Sequence, residues 1–294
     1  MQQQHRDENL KEQRIADKIP GQESAGERVA KDAENSIEEA QEEVAAARRS
    51  WYQTRRWGLI LLAVYGILLA LFTLLAVWVA YNPVLAIDVT ITHAFQENQS
   101  PWLRYTMIAA SFIGNVSALS LGLIILAAVL FWMVDLRLEA IMVVVVSATS
   151  ALLNWLIKLV VARPRPSASL VEIIQATSGQ SFPSGHVMSY VAFWGLLFSL
   201  AVILFRGKRW WRTALLIISA LFVVLVGPSR IYLGDHWASD VLGAYLIGGL
   251  LLSLSLWIYL NLRGRGVLAP TGKRARRFQQ NYVRRPAQLR DTQR

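Results

Sequence analysis

The sequence predicts an all-α fold, a six-transmembrane-helix bundle with cytoplasmic N- and C-terminal tails, and three observations carry that prediction. Of the 294 residues, 54% are hydrophobic and 17% charged, with a mean hydropathy of +0.35, whereas soluble domains carry about a quarter charged residues. Predominantly apolar runs recur at about the length a bilayer demands, since a hydrocarbon core about 30 Å thick takes roughly 20 residues of helix. Lys and Arg gather at alternate turns of the resulting zigzag. The same composition excludes a disordered chain, and the lack of Cys excludes a disulfide framework or a thiolate metal site.

Taken in order, residues 1–56 are a charged tail, with a net charge of −4 over the first 50. Its helix-prone part, Ser24 to Arg49, has only a thin apolar stripe of Val29, Ala33, Ile37, Ala40 and Val44, enough for partial helix or disorder. Trp57 to about Tyr81 is the first span; it is long, far from the N-terminus and followed by no small-residue cleavage site, so it is expected to be retained. Pro83 to Gln99 places Ile87, Val89, Ile91 and Phe95 among polar residues, which suits a short interfacial helix that serves packing. The second span, Trp102 to Val134, is long enough for Gly114 and Asn115 to mark a break or a strong tilt. Leu138–Val161, Val187–Phe205, Thr213–Val226 and Trp237–Leu262 follow, the fifth short and expected to continue to Arg230. The membrane domain is thus 57–262, and 263–294 is a basic tail, with a net charge of +9 from residue 261 onward.

Positive residues near span ends are retained in the cytoplasm. Arg48, Arg49, Arg55 and Arg56, then Arg206, Lys208, Arg209 and Arg212, then the C-terminal tail all fall on one side of the zigzag, which makes that side and both tails cytoplasmic. Trp51, Trp57, Trp210 and Trp211 sit at the expected interfaces as anchors. The tail cations Lys273, Arg274, Arg276, Arg277, Arg284 and Arg285 lie just inside a membrane, where anionic lipid rather than nucleic acid is the expected contact. The opposite face should be poor in cations, yet it holds Arg163, Arg165 and Arg230, with Lys158 at the end of the third span. Cations kept against the charge rule at membrane depth point to an anionic ligand.

Three stretches meet on that face: Lys158 to Pro166, Pro183-Ser184-Gly185-His186, and Ser229-Arg230 followed by His236 and Asp240. Lys158, Arg165 and Arg230 supply the point charge and planar forks that hold a phosphate dianion. Ser184 and Gly185 open the fourth helix, where unpaired N–H groups and the helix dipole favour an anion and Gly admits a close backbone. His236 and Asp240 are four apart at the start of the sixth helix, so the carboxylate can accept from one ring nitrogen and leave the other as a free nucleophile. His186 is placed to protonate the leaving oxygen and later to activate water. Glu172, Asp235 and Asp240 are the acids nearby, Asp235 read as a loop acid, and they make no carboxylate cluster for a divalent ion; no metal or cofactor is expected. Arg163, next to Pro164, could help steer an anion, while His5 and His93 have no partner at useful spacing.

These stretches match Lys-x6-Arg-Pro, Pro-Ser-Gly-His and Ser-Arg-x5-His-x3-Asp at every fixed position and in order, and so the chain resembles the type 2 phosphatidic acid phosphatase superfamily. The resemblance covers residues 57 to 262 and implies a six-helix core with an extracytoplasmic site. It also implies Lys158, Arg165, Ser184, Gly185 and Arg230 as phosphate ligands, His186 as acid, His236 as nucleophile and Asp240 as its partner.

The expected activity is removal of a terminal phosphate from a lipid phosphate or diphosphate in the outer leaflet of a bacterial-type plasma (inner) membrane, the lipid tail remaining in the bilayer. Candidates implied by the resemblance are undecaprenyl diphosphate, phosphatidate, diacylglycerol diphosphate and phosphatidylglycerol phosphate, the polyprenyl diphosphate being preferred. Three rival readings use the same cations: a phosphotransferase, an anion or lipid transporter, and a vanadate-dependent haloperoxidase. A transport path would need polar residues through the spans, where Ser147, Thr149, Ser150 and Asn154 on the third helix are the main group. The haloperoxidase relatives are soluble.

Overall fold

The computed structural model describes residues 58–205, 210–265 and 267–268. The Ser24–Arg49 stretch, Trp51, Trp57, the cations at 206, 208 and 209 and the C-terminal cluster lie outside them. The chain divides into two compact units, Met1–Val64 and Tyr65–Arg294. Of the first, only residues 58–64, the opening turns of a helix, are described; the helical bundle belongs to the second.

Helix α1 runs Gly58–Tyr81, α2 Ala86–Gln96, α3 Pro101–Asn115, α4 Ser117–Met133, α5 Arg137–Val161, α6 Gly185–Leu204, α7 Trp210–Tyr232 and α8 Ala238–Gly264. No β-sheet occurs among the described residues; the fold is all-α. Helices α1, α5, α6, α7 and α8 are each long and apolar enough to cross a membrane, and α3 with α4 forms a further apolar pair bent by 71°. The protein is therefore multi-pass.

Two span boundaries left open by the sequence take definite form. The Trp102–Val134 stretch breaks at Val116, at φ −101° and ψ 94°, directly after Gly114 and Asn115. The fifth span continues past Val226 and Arg230 to Tyr232, with Pro228 inside the helix.

Helix α6 is the centre of the bundle. Val187, Met188, Leu196, Leu200 and Leu204 along it are completely enclosed, whereas Leu71, Leu74 and Trp78 of α1 point outward. An apolar residue facing lipid costs nothing, so outward leucines are expected in a membrane bundle. A π-helical turn at Val191–Gly195 interrupts α6 directly after its first stretch, Gly185–Tyr190. Trp194 stacks on Phe222 of α7 with ring centroids 4.6 Å apart, and Phe72 of α1 stacks on Phe182 ahead of α6 at 5.8 Å.

At one end of the bundle α5 and α8 are pinned by a buried polar triad: Tyr259 donates to Glu139 at 2.7 Å, and Arg263 pairs with Glu139 and donates to Tyr259. At the other end lie the C-termini of α5 and α7, the N-termini of α6 and α8, and the bend between α3 and α4. All three sequence stretches come together there.

Candidate active site

Each site residue is placed by a helix terminus. Helix α5 stops at Ala162, which is left-handed at φ 49° and returns its N–H to the Lys158 carbonyl; Pro164 and Pro166 then carry the chain away from the helix. Ser184 caps α6 in an extended conformation. Helix α7 ends in a turn at Gly234, φ 74°, where an added Cβ would overlap the Glu172 carbonyl oxygen. Only glycine fits there, and the turn brings Asp235 and His236 back over Arg230, to whose carbonyl both amides donate. Asp240, three residues into α8, accepts the Trp237 N–H at 2.9 Å and so caps the helix it belongs to.

His236 is almost fully enclosed at 1% exposure. Its Nε2 faces Arg165 NH1 at 3.4 Å, and its Nδ1 faces Asp240 Oδ2 at 3.5 Å. That second distance is long for a direct hydrogen bond. The Ser181 hydroxyl fills in: it makes a short contact with Asp240 Oδ2 and lies 3.3 Å from His236 Nδ1. The expected two-residue pair is thus bridged by a third residue. Burial pushes the His236 imidazole down from its ordinary 6.5 to about 4, overcoming the nearby Asp240 carboxylate, which acts upward. His236 is neutral at pH 7, with Nε2 bare when Nδ1 holds the proton toward Ser181 and Asp240.

Asp240 is itself clamped. Its Oδ1 accepts from Arg163 NH1 at 2.7 Å, and Arg163 reaches with NH2 to Asp88 at 2.8 Å. Asp88 also accepts from the Ser239 amide and hydroxyl, at 2.9 and 2.6 Å. The Arg163 side chain has no exposed surface, so it cannot steer an anion; it holds a carboxylate. Helix α2, expected only to pack, supplies Asp88 to this network.

The cations expected to hold phosphate are brought together. Arg165 is fixed by the Gly179 carbonyl at 3.1 Å, the Thr177 hydroxyl at 2.6 Å and the Asp235 carbonyl at 3.0 Å. Lys158 Nζ donates to the Gln180 carbonyl at 2.9 Å. Arg230 is paired with Asp235 at 2.5 Å, and Asp235 also accepts from Thr177 at 2.7 Å. Asp235 does lie in the loop between α7 and α8, but it is buried and orients both arginines, Arg230 through its carboxylate and Arg165 through its carbonyl. Among the described residues of this site, the buried Ser184 Oγ and Arg230 Nε keep unused hydrogen-bonding capacity. The Ser184 amide, expected to be free, instead donates to the Asp240 carbonyl at 3.2 Å. At Gly185 an added Cβ would come within 3.1 Å of Asn154 Oδ1, so this position has little room for a side chain.

His186 has an unforeseen neighbour. Its Nε2 lies 2.8 Å from Asn115 Oδ1, at the end of α3, and 3.5 Å from Arg230 NH1. Asn115 is visible in the sequence as a candidate helix break, but nothing local marks it as a partner of His186. Among the described residues, no three His, Cys, Asp or Glu side chains converge in a way that could hold a metal.

Comparisons with known proteins give the family. Residues 139–263 match the model of the PAP2 superfamily. Phosphatidylglycerophosphatase B of Bacillus subtilis is 33% identical over 186 residues, covering 62% of this chain and 88% of the relative. Undecaprenyl-diphosphatase BcrC of the same organism is 29% identical over 138 residues, 46% of this chain and 66% of the relative. A crystal structure of a transmembrane PAP2-type phosphatidylglycerolphosphate phosphatase from Bacillus subtilis superposes with a TM-score of 0.56 at 28% identity, covering 66% of this chain and 94% of that one. With its helical bundle, its signature stretches gathered at one end and a relative matched over most of its length, the chain belongs to the PAP2 superfamily and is a multi-pass membrane phosphatase.

Proposed function

We propose that the protein removes the terminal phosphate of a membrane lipid phosphate or diphosphate through a phosphohistidine, without a metal ion, at the extracytoplasmic face of the plasma membrane. The observation that carries this is His236 Nε2 beside Arg165, with Lys158, Arg165 and Arg230 at the same helix ends. A neutral imidazole facing a guanidinium is a nucleophile aimed at an anion.

Phosphate oxygens would be held by Lys158, Arg165, Arg230, the Ser184 hydroxyl and the Gly185 amide, which neutralise charge on the equatorial oxygens as phosphorus is attacked. His236 Nε2 forms the P–N bond, the P–O bond to the lipid breaks, and His186 gives its proton to the departing oxygen. Water then attacks phosphorus, returning a proton to His186 and the P–N electron pair to His236. Ser181 and Asp240 hold the His236 ring and take up the positive charge that develops on it. The acids nearest the histidines, Asp235 and Asp240, are each committed to an arginine, which supports cationic rather than metal neutralisation.

The site lies at helix ends of an apolar bundle, so a headgroup can enter while its chain stays in lipid. The named activities of the relatives, on phosphatidylglycerol phosphate and undecaprenyl diphosphate, support one substrate of each kind. The Lys and Arg clusters at 48–56, at 206–212 and in the C-terminal tail fall at the alternate turns of the zigzag, which supports an extracytoplasmic site and cytoplasmic tails. The transporter reading is weakened by Asn154, whose amide donates to the Pro183 carbonyl at 3.1 Å and so belongs to the site's scaffold.

The test is phosphate release from undecaprenyl diphosphate, phosphatidylglycerol phosphate and phosphatidate in detergent with EDTA, together with alkaline-quench trapping of labelled phosphate on the protein. Wild type should turn over at least one lipid and carry label, and His236→Ala neither. Turnover by His236→Ala, or activity abolished by EDTA, would refute the mechanism.

A further inference from the structure

We infer that Asn115 is a positioning residue for His186: its side-chain oxygen keeps a proton on Nε2, the nitrogen that faces Arg230 and the phosphate. This rests on the proposed role of His186 as proton donor, and deepens it.

The orientation of the Asn115 amide follows from chemistry. Arg230 NH1 lies 3.3 Å from the atom that also lies 2.8 Å from His186 Nε2. A guanidinium only donates, so the atom facing it is the amide oxygen, and the amide NH2 is left to donate to Ser111 Oγ at 3.2 Å. An oxygen facing Nε2 at 2.8 Å requires that Nε2 carry hydrogen. The competing arrangement, with a bare Nε2 accepting from Arg230, has a separation of 3.5 Å and would set two acceptors against each other at 2.8 Å. The shorter contact decides.

The chain is shaped to make this contact. Helix α3 ends at Asn115 and α4 leaves at 71°, so the last side chain of α3 projects toward α6 and α7 instead of continuing up a helix face. An added Cβ at Gly114 would overlap His186 Cδ2, so the backbone approaches the imidazole as only glycine permits. Tyr190, one turn beyond His186, fastens the two segments: its hydroxyl accepts from the Gly114 amide at 3.1 Å and donates to the Ala110 carbonyl at 2.9 Å. Gly114, Asn115 and Ser111 all lie outside the 139–263 region matched to the family model.

The consequence falls on the leaving group. When the P–O bond breaks, its electron pair stays on the lipid oxygen, which takes the Nε2 proton of His186 in its imidazolium form and leaves a neutral ring. In the second step the attacking water returns a proton to the same nitrogen. An Asn115 variant therefore has a His186 whose ring less often presents a hydrogen on Nε2 in the right orientation, which matters only if the leaving oxygen needs that proton.

The experiment compares kcat on hexadecyl phosphate, whose alkoxide must be protonated, with kcat on 4-nitrophenyl phosphate, whose phenolate leaves unaided. Wild type, Asn115→Ala, Gly114→Ala, His186→Ala and His236→Ala are measured in the same detergent. General acid catalysis contributes about 10²–10⁴-fold, so a misplaced acid should forfeit part of that: the aryl-to-alkyl kcat ratio should rise about tenfold in Asn115→Ala and Gly114→Ala, and further in His186→Ala. The ratio is insensitive to how much of each preparation is folded. An unchanged ratio in both α3 variants, while His186→Ala raises it, would overturn the inference and leave the proposed function standing. An unchanged ratio in His186→Ala would remove the acid role and this inference with it, and activity in His236→Ala would remove the nucleophile.

Discussion

Replacing His236 by Asn should flatten the acid side of the protein's stability profile. The imidazole titrates at an ordinary 6.5 in an unfolded chain and at about 4 in the folded protein, where burial resists its protonation. A group whose folded value is depressed contributes stability that is present above the unfolded value and lost as pH falls through the folded one. The window is therefore 6.5 down to about 4. At about 1.4 kcal/mol per pH unit, the gap amounts to about 3 kcal/mol, all of it lost below the window. Thermal unfolding in detergent between pH 7 and pH 4 would compare wild type with His236→Asn, which has no group to titrate there; the wild type should lose stability faster by that amount. The same depression should set the acid limb of kcat/KM near pH 4 rather than 6.5, because the proposed nucleophile stays neutral down to its folded value. Parallel stability curves for the two proteins, or an acid limb in kcat/KM near 6.5 assignable to His236, would refute the reasoning.

Asp88→Asn should lower thermal stability sharply, since it leaves the enclosed Arg163 guanidinium with Asp240 as its one remaining carboxylate partner; breaking a buried pair costs about 3–5 kcal/mol, and a melting curve indistinguishable from wild type would contradict the assignment. Gly234→Ala should cost about 1–3 kcal/mol from the left-handed backbone alone and also reduce kcat, because the clash with the Glu172 carbonyl moves the turn that carries Asp235 and His236; paired melting and turnover measurements check both parts.

The legible part of this protein was what short stretches of sequence can encode. Apolar runs of span length mark helices without reference to any partner, and the structure has helices at each of them, with ends shifted by a few residues. The signature residues were legible for a related reason. His236 and Asp240 flank one helix start, and Ser184, Gly185 and His186 share another, so their relative placement follows from helix geometry. Even the bend between α3 and α4 left a trace, in a Gly-Asn pair inside an over-long apolar stretch.

Residue order was thus enough for the all-α membrane architecture and for naming the groups proposed for phosphate chemistry. How those groups are held is a property of the packed chain. Asp88 and Arg163 are 75 residues apart, Asn115 and His186 are 71 apart, and Ser181 meets Asp240 across 59. No local pattern specifies such pairs, because a polar side chain buried at helix ends must find a partner and any of several chain positions could supply it. Packing chose them: the 71° bend aimed Asn115, the short α2 delivered Asp88, and the Gly234 turn set Asp235 over Arg230. Burial among these partners, rather than spacing along the chain, makes His236 neutral and leaves its Nε2 facing Arg165.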